Sequence, residues 1–100
     1  MANIKVKIEL GEHWTWISAT VIDANDKMTP LTINGTGTVE VEADVSDAGI
    51  ARLVIHARGN SAATITANVV KNGKSISRKR TFKYSADGFV DRAVSFDPKA

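Results

Sequence analysis

Cysteine is absent. That excludes disulfides, thiolate metal sites and thiol nucleophiles, and leaves stability to the core and the strand ladders. Histidine is nearly absent, with only His13 and His56, so imidazole acid–base and metal chemistry have little material to work with. Neither sign of charge prevails: 13 Lys+Arg against 11 Asp+Glu leaves a net charge of +2. That is not the footprint of a nucleic-acid binder. Long apolar runs are missing too. Met1 to Lys7 lacks the hydrophobic stretch of a secretory signal, and no segment approaches the length of a membrane helix. The expectation is a chain made in the cytoplasm without a visible signal peptide and not inserted into a membrane. Convincing helical periodicity is also lacking.

What the chain does contain is alternation. Ile4, Val6, Ile8 and Leu10 share one parity, and Lys5, Lys7 and Glu9 the other. This period of two marks a strand with one face buried. Ile17, Ala19 and Val21 define a second core face. Val39, Val41, Ala43 and Val45 alternate with Glu40, Glu42 and Asp44, apolar against acidic. Ala51, Leu53, Ile55 and Ala57 follow, then Ala63, Ile65, Ala67 and Val69.

Turn chemistry separates these runs at Gly11-Glu12, Asp23 to Lys27, Asn34 to Gly37, Ser46 to Gly49, Gly59 to Ser61 and Ala86 to Gly88. Asn72-Gly73 is the strongest hairpin signal, because both residues tolerate the positive φ of a type I′ turn. The return strand is expected from about Ser75 to Tyr84, and a last strand from Phe89 to Phe96, before Pro98. Residues 86–100 then form either an extra strand or a C-terminal arm.

Seven to eight short antiparallel strands, with turns about every ten residues, point to an all-β, immunoglobulin-like β-sandwich. One hundred residues suffice for one such domain, spanning 1–100.

Motifs of catalysis are sparse. A Ser-His-Asp set can be assembled on paper, but no nucleophile-elbow motif surrounds any serine. The expectation is therefore a protein that is not an enzyme and needs no cofactor. Asp23, Asn25 and Asp26 offer oxygen ligands, yet Lys27 falls where a calcium loop needs another. A plain turn is expected, with no metal. Asn34-Gly35-Thr36 is a formal glycosylation sequon that has no export signal to give it meaning.

Two features suggest binding. Trp14 and Trp16 stand two apart, on the parity opposite Ile17, Ala19 and Val21. Exposed, they make a flat platform for a sugar ring or a protein anchor, with His13 and Thr15 nearby. If the strand bulges, they fill the core instead. Charge is also segregated. Lys71, Lys74, Arg78, Lys79, Arg80 and Lys83 crowd one hairpin, while Glu40, Glu42, Asp44 and Asp47 crowd another strand and its turn. A one-sided basic patch attracts phosphates, sulfated sugars or an acidic protein face, and opposed patches can join copies. The bland reading is a solvated edge that resists aggregation.

Ala19 to Asp26 resembles the opening strand and Asp-Ala-Asn-Gly turn of bacterial immunoglobulin-like domains of the invasin and intimin type, with Asp26 in place of Gly. Ser46 to Leu53 resembles that family's Asp-x-x-Gly-x-Ala turn, one residue shorter. Ala63 to Val69 resembles its late strand, and Thr81-Phe82 its closing strand with a buried Phe. The resemblance covers residues 19–84 and implies an immunoglobulin-like domain, a fold that hosts many functions. Family members occur as exported tandem stalks, whereas a lone domain without a signal suits a bacteriophage virion surface component, such as a capsid decoration or tail-associated protein. The expected partners are a protein or further copies in a larger assembly. The alternative is a carbohydrate-binding or adhesion module that uses the tryptophans. The candidate binding residues are Trp14, Trp16, Arg78, Lys79, Arg80 and Lys83.

Overall fold

The computed structural model describes residues 1–10, 14–33, 37–60 and 63–100, apart from the side chains of Trp14 and Thr15. Among these residues there are nine strands: β1 (Ala2–Leu10), β2 (Trp14–Ile22), β3 (Met28–Leu31), β4 (Thr38–Val45), β5 (Ala51–Gly59), β6 (Thr64–Lys71), β7 (Lys74–Ser75), β8 (Arg80–Lys83) and β9 (Phe89–Phe96). They form two antiparallel sheets packed as an immunoglobulin-like sandwich. One sheet runs β4-β1-β6-β7, with β8 also paired to β6; the other runs β3-β2-β5-β9.

The alternation read from the sequence is the core. Ile4, Val6 and Ile8 are fully buried in the first sheet and face Val21, Leu53 and Ile55 of the second. Each such side chain contributes about 1.5–3 kcal/mol through burial. The acidic parity of β4 lies outward. Ala43 and Val45 are buried, and Val39 and Val41 pack partly buried against the core.

Neighbour relations follow the immunoglobulin pattern with one substitution. In that fold one sheet carries C, F and G, extended by C′, and the other carries A, B and E. Here β3-β2-β5-β9 reproduces C′-C-F-G, and β4-β1 reproduces E-B. The place of the first strand, on the far side of β1, is taken by β6, which enters only after β5. The chain thus crosses to the first sheet after β5 and returns to the second at β9.

Asn72 and Gly73 turn the β6–β7 hairpin at φ 52° and 76°, and Lys71 pairs with Lys74, as a type I′ turn requires. The single return strand expected from Ser75 to Tyr84 is instead two pieces, β7 and β8, which is why there are nine strands. Arg78 and Arg80 stand on the same parity as Ile76 and Phe82, and a continuous strand would aim both guanidinium groups at the core. Ile76 and Ser77 bridge the break. The Ile76 amide donates to the Val69 carbonyl at 2.9 Å, and the Val69 amide donates to Ser77 Oγ at 2.9 Å.

The segment after β8 does not reach away. The last strand occupies Phe89–Phe96 as expected and pairs with β5 along its length. Pro98 is fully buried, and its carbonyl accepts a 2.7 Å hydrogen bond from Lys71 Nζ.

The Asp23 turn is an oxygen-to-amide cage. Asp23 is buried, and its carboxylate accepts from the amides of Asn25 at 2.9 Å, Lys27 at 3.0 Å and Ser46 at 3.4 Å. Burial pushes its pKa upward, but these amides and the Lys27 charge outweigh it and hold the carboxyl below its ordinary value. Asp26, where the family resemblance expects Gly, has φ 60°. Asp is among the few side chains that tolerate this left-handed conformation.

Candidate functional site

Two surfaces hold the candidate residues. The first is the outer face of β3-β2-β5-β9, where register stacks side chains in cross-strand rows. Trp16 is opposite Arg58, and Arg58 is opposite Phe89. Trp16 and Phe89 are 51% and 47% exposed, large values for aromatic rings that the core is available to take. The Arg58 guanidinium lies 5.0 Å from the centre of the Phe89 ring, a cation–π contact.

Beside this row is an open hollow of about 570 Å³, lined by Trp16, Arg58, Gly59, Asp87 and Gly88. Its floor is bare backbone. Gly59 donates to the Gly88 carbonyl at 2.8 Å, and a Cβ on Gly88, whose φ is +83°, would stand 2.4 Å from the Gly59 oxygen.

The pairing of β2 with β5 shifts register between Trp14 and Trp16. The two-apart rule that put both tryptophans on one platform therefore does not operate across that step. Trp16 is on the outer face, while the Trp14 side chain, His13 and the Asn34-Gly35-Thr36 sequon lie outside the described residues.

The next row along the same face is Ser18, His56 and Asp91. His56 Nδ1 lies 3.0 Å from Asp91 Oδ1, with both side chains more than half exposed. These are the residue types of a hydrolytic triad. They sit on an open sheet face, where the strand amides are committed to ladders and water has free access. An acyl-transfer site needs the reverse: spare amide donors in a water-excluding pocket.

The second surface is the open side of the sandwich, between the edge strands β8 and β9. Arg80 pairs with Ala67 and Arg92 with Ile55, and both partners are fully buried. The two arginines thus stand at inward register positions, yet both are exposed. The two edges approach here without a hydrogen-bonded ladder between them, and the arginines lie along this seam. Hollows of about 520, 430 and 280 Å³ run along it. Arg78 borders the first two, Arg80 the second, and Lys83 and Arg92 the third. Ile50, 60% exposed, closes one end.

The six hairpin cations do not form one patch. Lys71 is spent on the Pro98 carbonyl. Lys79 turns to the outer face of the first sheet and pairs with Glu9 at 3.4 Å. Arg78, Arg80 and Lys83 remain at the seam and are joined by Arg92, which the sequence reading passed over. The acidic stripe is matched within the molecule. Lys5 and Lys7 reach Glu40 at 3.6 and 3.4 Å, and Asn3 donates to Asp44 at 3.0 Å. The Lys7 contact foremost draws the Glu40 carboxyl below its usual range.

Sequence reasoning also missed Arg58, Asp87 and Phe89. Phe89 carried a signal, because it stands on the parity opposite Val90, Val94 and Phe96. No helix among the described residues is long and apolar enough to cross a membrane. No family model, no curated protein and no solved structure matches the chain.

Proposed function

We propose that the chain is a non-enzymatic structural and binding module that attaches through its arginine seam to an acidic protein surface of a larger assembly. A bacteriophage virion, carrying the domain as a capsid decoration or tail-associated protein, is the assembly this reading favours. The observation that carries it is the pair Arg80 and Arg92, exposed at core-parity positions of two facing edge strands. Charges so placed block indiscriminate edge pairing. The middle hollow of the seam, bordered by Arg78 and Arg80 and, among the described residues, by no acid, presents a positive field that selects an acidic partner and speeds its encounter. A protein partner suits the domain better than nucleic acid, because the outer face of the first sheet carries Glu9, Glu40 and Glu42 among its lysines.

The test is co-sedimentation of a tagged chain with virions assembled in its presence. Arg78→Glu with Arg80→Glu should remove on the order of 2 kcal/mol of attachment, about thirtyfold in affinity. High salt should act in the same direction. Lys79→Glu, whose partner is Glu9, should change attachment far less. Equal incorporation of the double variant and the wild type would sink the seam reading.

A further inference from the structure

We infer that the hollow beside Trp16 is a binding site for a neutral saccharide, independent of the seam and of whatever assembly the seam serves. The sequence suggested a platform of two tryptophans; here the ligand is carried by Trp16 with Arg58, Asp87 and the two-glycine floor.

Three properties of the hollow select this chemistry. The first is shape. About 570 Å³ bounded on one side by a half-exposed indole lies in the range of small-molecule sites, about 300–1,000 Å³. A pyranose ring is flat, with axial C–H bonds on its faces, and it stacks on an indole with little loss of conformational freedom.

The second is the floor. Gly59 and Gly88 offer no side chains, so a ligand reaches the backbone directly. Their mutual 2.8 Å hydrogen bond fixes that floor before anything binds. Gly88 is required there by both its φ and the closeness of the Gly59 oxygen.

The third is charge. Arg58 and Asp87 border the same hollow with opposite signs. An anion would gain from the guanidinium and lose to the carboxylate, and a cation the reverse. Vicinal hydroxyls use both, donating to the carboxylate and accepting from the guanidinium. The Arg58 guanidinium lies 5.0 Å from the centre of the Phe89 ring, which restricts its motion at the rim of the hollow. The neighbouring His56–Asp91 pair, 3.0 Å apart, extends the polar strip along the face for a second sugar unit.

The experiment is a titration of the isotope-labelled protein with maltose, cellobiose and N,N′-diacetylchitobiose, followed by amide and indole correlation spectra. Inorganic sulfate serves as the anion probe. Saturable shifts of the Trp16 indole N–H and the Gly59 and Gly88 amides with at least one disaccharide are expected, in the millimolar range. Trp16→Ala and, separately, Asp87→Ala should each weaken that binding at least tenfold while the remaining amide dispersion is unchanged. Asp87 lies in an exposed turn outside every ladder, so its variant reports on binding even if the tryptophan variant misfolds. Failure of all three sugars to give saturable shifts would overturn the site. So would shifts with sulfate alone, or full affinity in the Asp87 variant. None of these outcomes touches virion attachment, which is read by sedimentation.

Discussion

Replacing Tyr84 by Phe should make the protein more stable, although it removes a polar atom and adds nothing. Tyr84 is 4% exposed and belongs to the core cluster. Its backbone amide donates to the Ala63 carbonyl at 3.3 Å, so the residue is held by its main chain and its ring. The hydroxyl is buried and has no hydrogen-bond partner among the described residues. A hydroxyl stripped of water without compensation costs about 1–3 kcal/mol, whereas Phe keeps the ring packing. A gain of about 1 kcal/mol is expected, or a Tm higher by roughly 4–8 °C for a domain of this size.

Thermal and urea unfolding measure the gain directly, and alkaline titration supplies an independent readout. Burial pushes the Tyr84 pKa upward in the folded protein. The unfolded chain therefore releases this proton first, at about pH 10. Between the two pKa values the folded state holds more protons, so stability falls as pH rises through that window. Below about pH 10 the contribution is complete. Tyr84 is the only tyrosine, so the phenolate absorbance follows it alone, and Tyr84→Phe should lack this part of the alkaline loss. An unchanged or lower Tm in the variant would refute the reasoning, because it would mean that the hydroxyl contributes a hydrogen bond.

Other expectations follow from the turns and the strand break. Gly88→Ala should cost about 2 kcal/mol or more, measured by urea unfolding, because φ +83° and the Gly59 oxygen at 2.4 Å both oppose a Cβ. Ser77→Ala leaves the buried Val69 amide without its acceptor and should cost about 1–2 kcal/mol, with faster exchange of that amide. On acidification, Asp23 and Glu40, both depressed in the folded state, contribute stability that is present above about pH 4 and lost as pH falls through their folded values. Asp23→Asn should flatten the acid limb of a Tm-against-pH curve, and a limb of unchanged steepness would count against the cage.

The strands were legible because each alternates alone: parity in Ile4 to Leu10 or Ala51 to Ala57 needs no knowledge of a partner. The Asn72-Gly73 turn was legible for the same reason, since its geometry is local. The break at 76–79 was half visible. Arg78 and Arg80 sat on a core parity, and a strand that must bury two guanidinium groups is a contradiction the sequence already stated. Sheet order was not legible. Nothing within residues 64–71 says that they lie against β1, because that choice is made by packing between distant segments. The candidate surfaces share this blindness. Trp16, Arg58 and Phe89 come from three strands, as do Ser18, His56 and Asp91, and each row exists only once register is fixed. The lysine-rich hairpin, contiguous in sequence, scattered because neighbouring residues on a strand point to opposite faces.

The place of β6 beside β1 also sets a timetable. β1 lies in the middle of its sheet, with β4 on one flank and β6 on the other. During synthesis it emerges before either neighbour exists. At about 5–20 residues per second, the interval from Leu10 to Lys71 is roughly 3–12 s. β4 follows first and can close one edge, but until β6 is made the other hydrogen-bonding edge stays open on this Ile-Val-Ile strand. Lys5, Lys7 and Glu9 alternate through it, so the strand that waits longest also carries charges that keep nascent copies from pairing with one another.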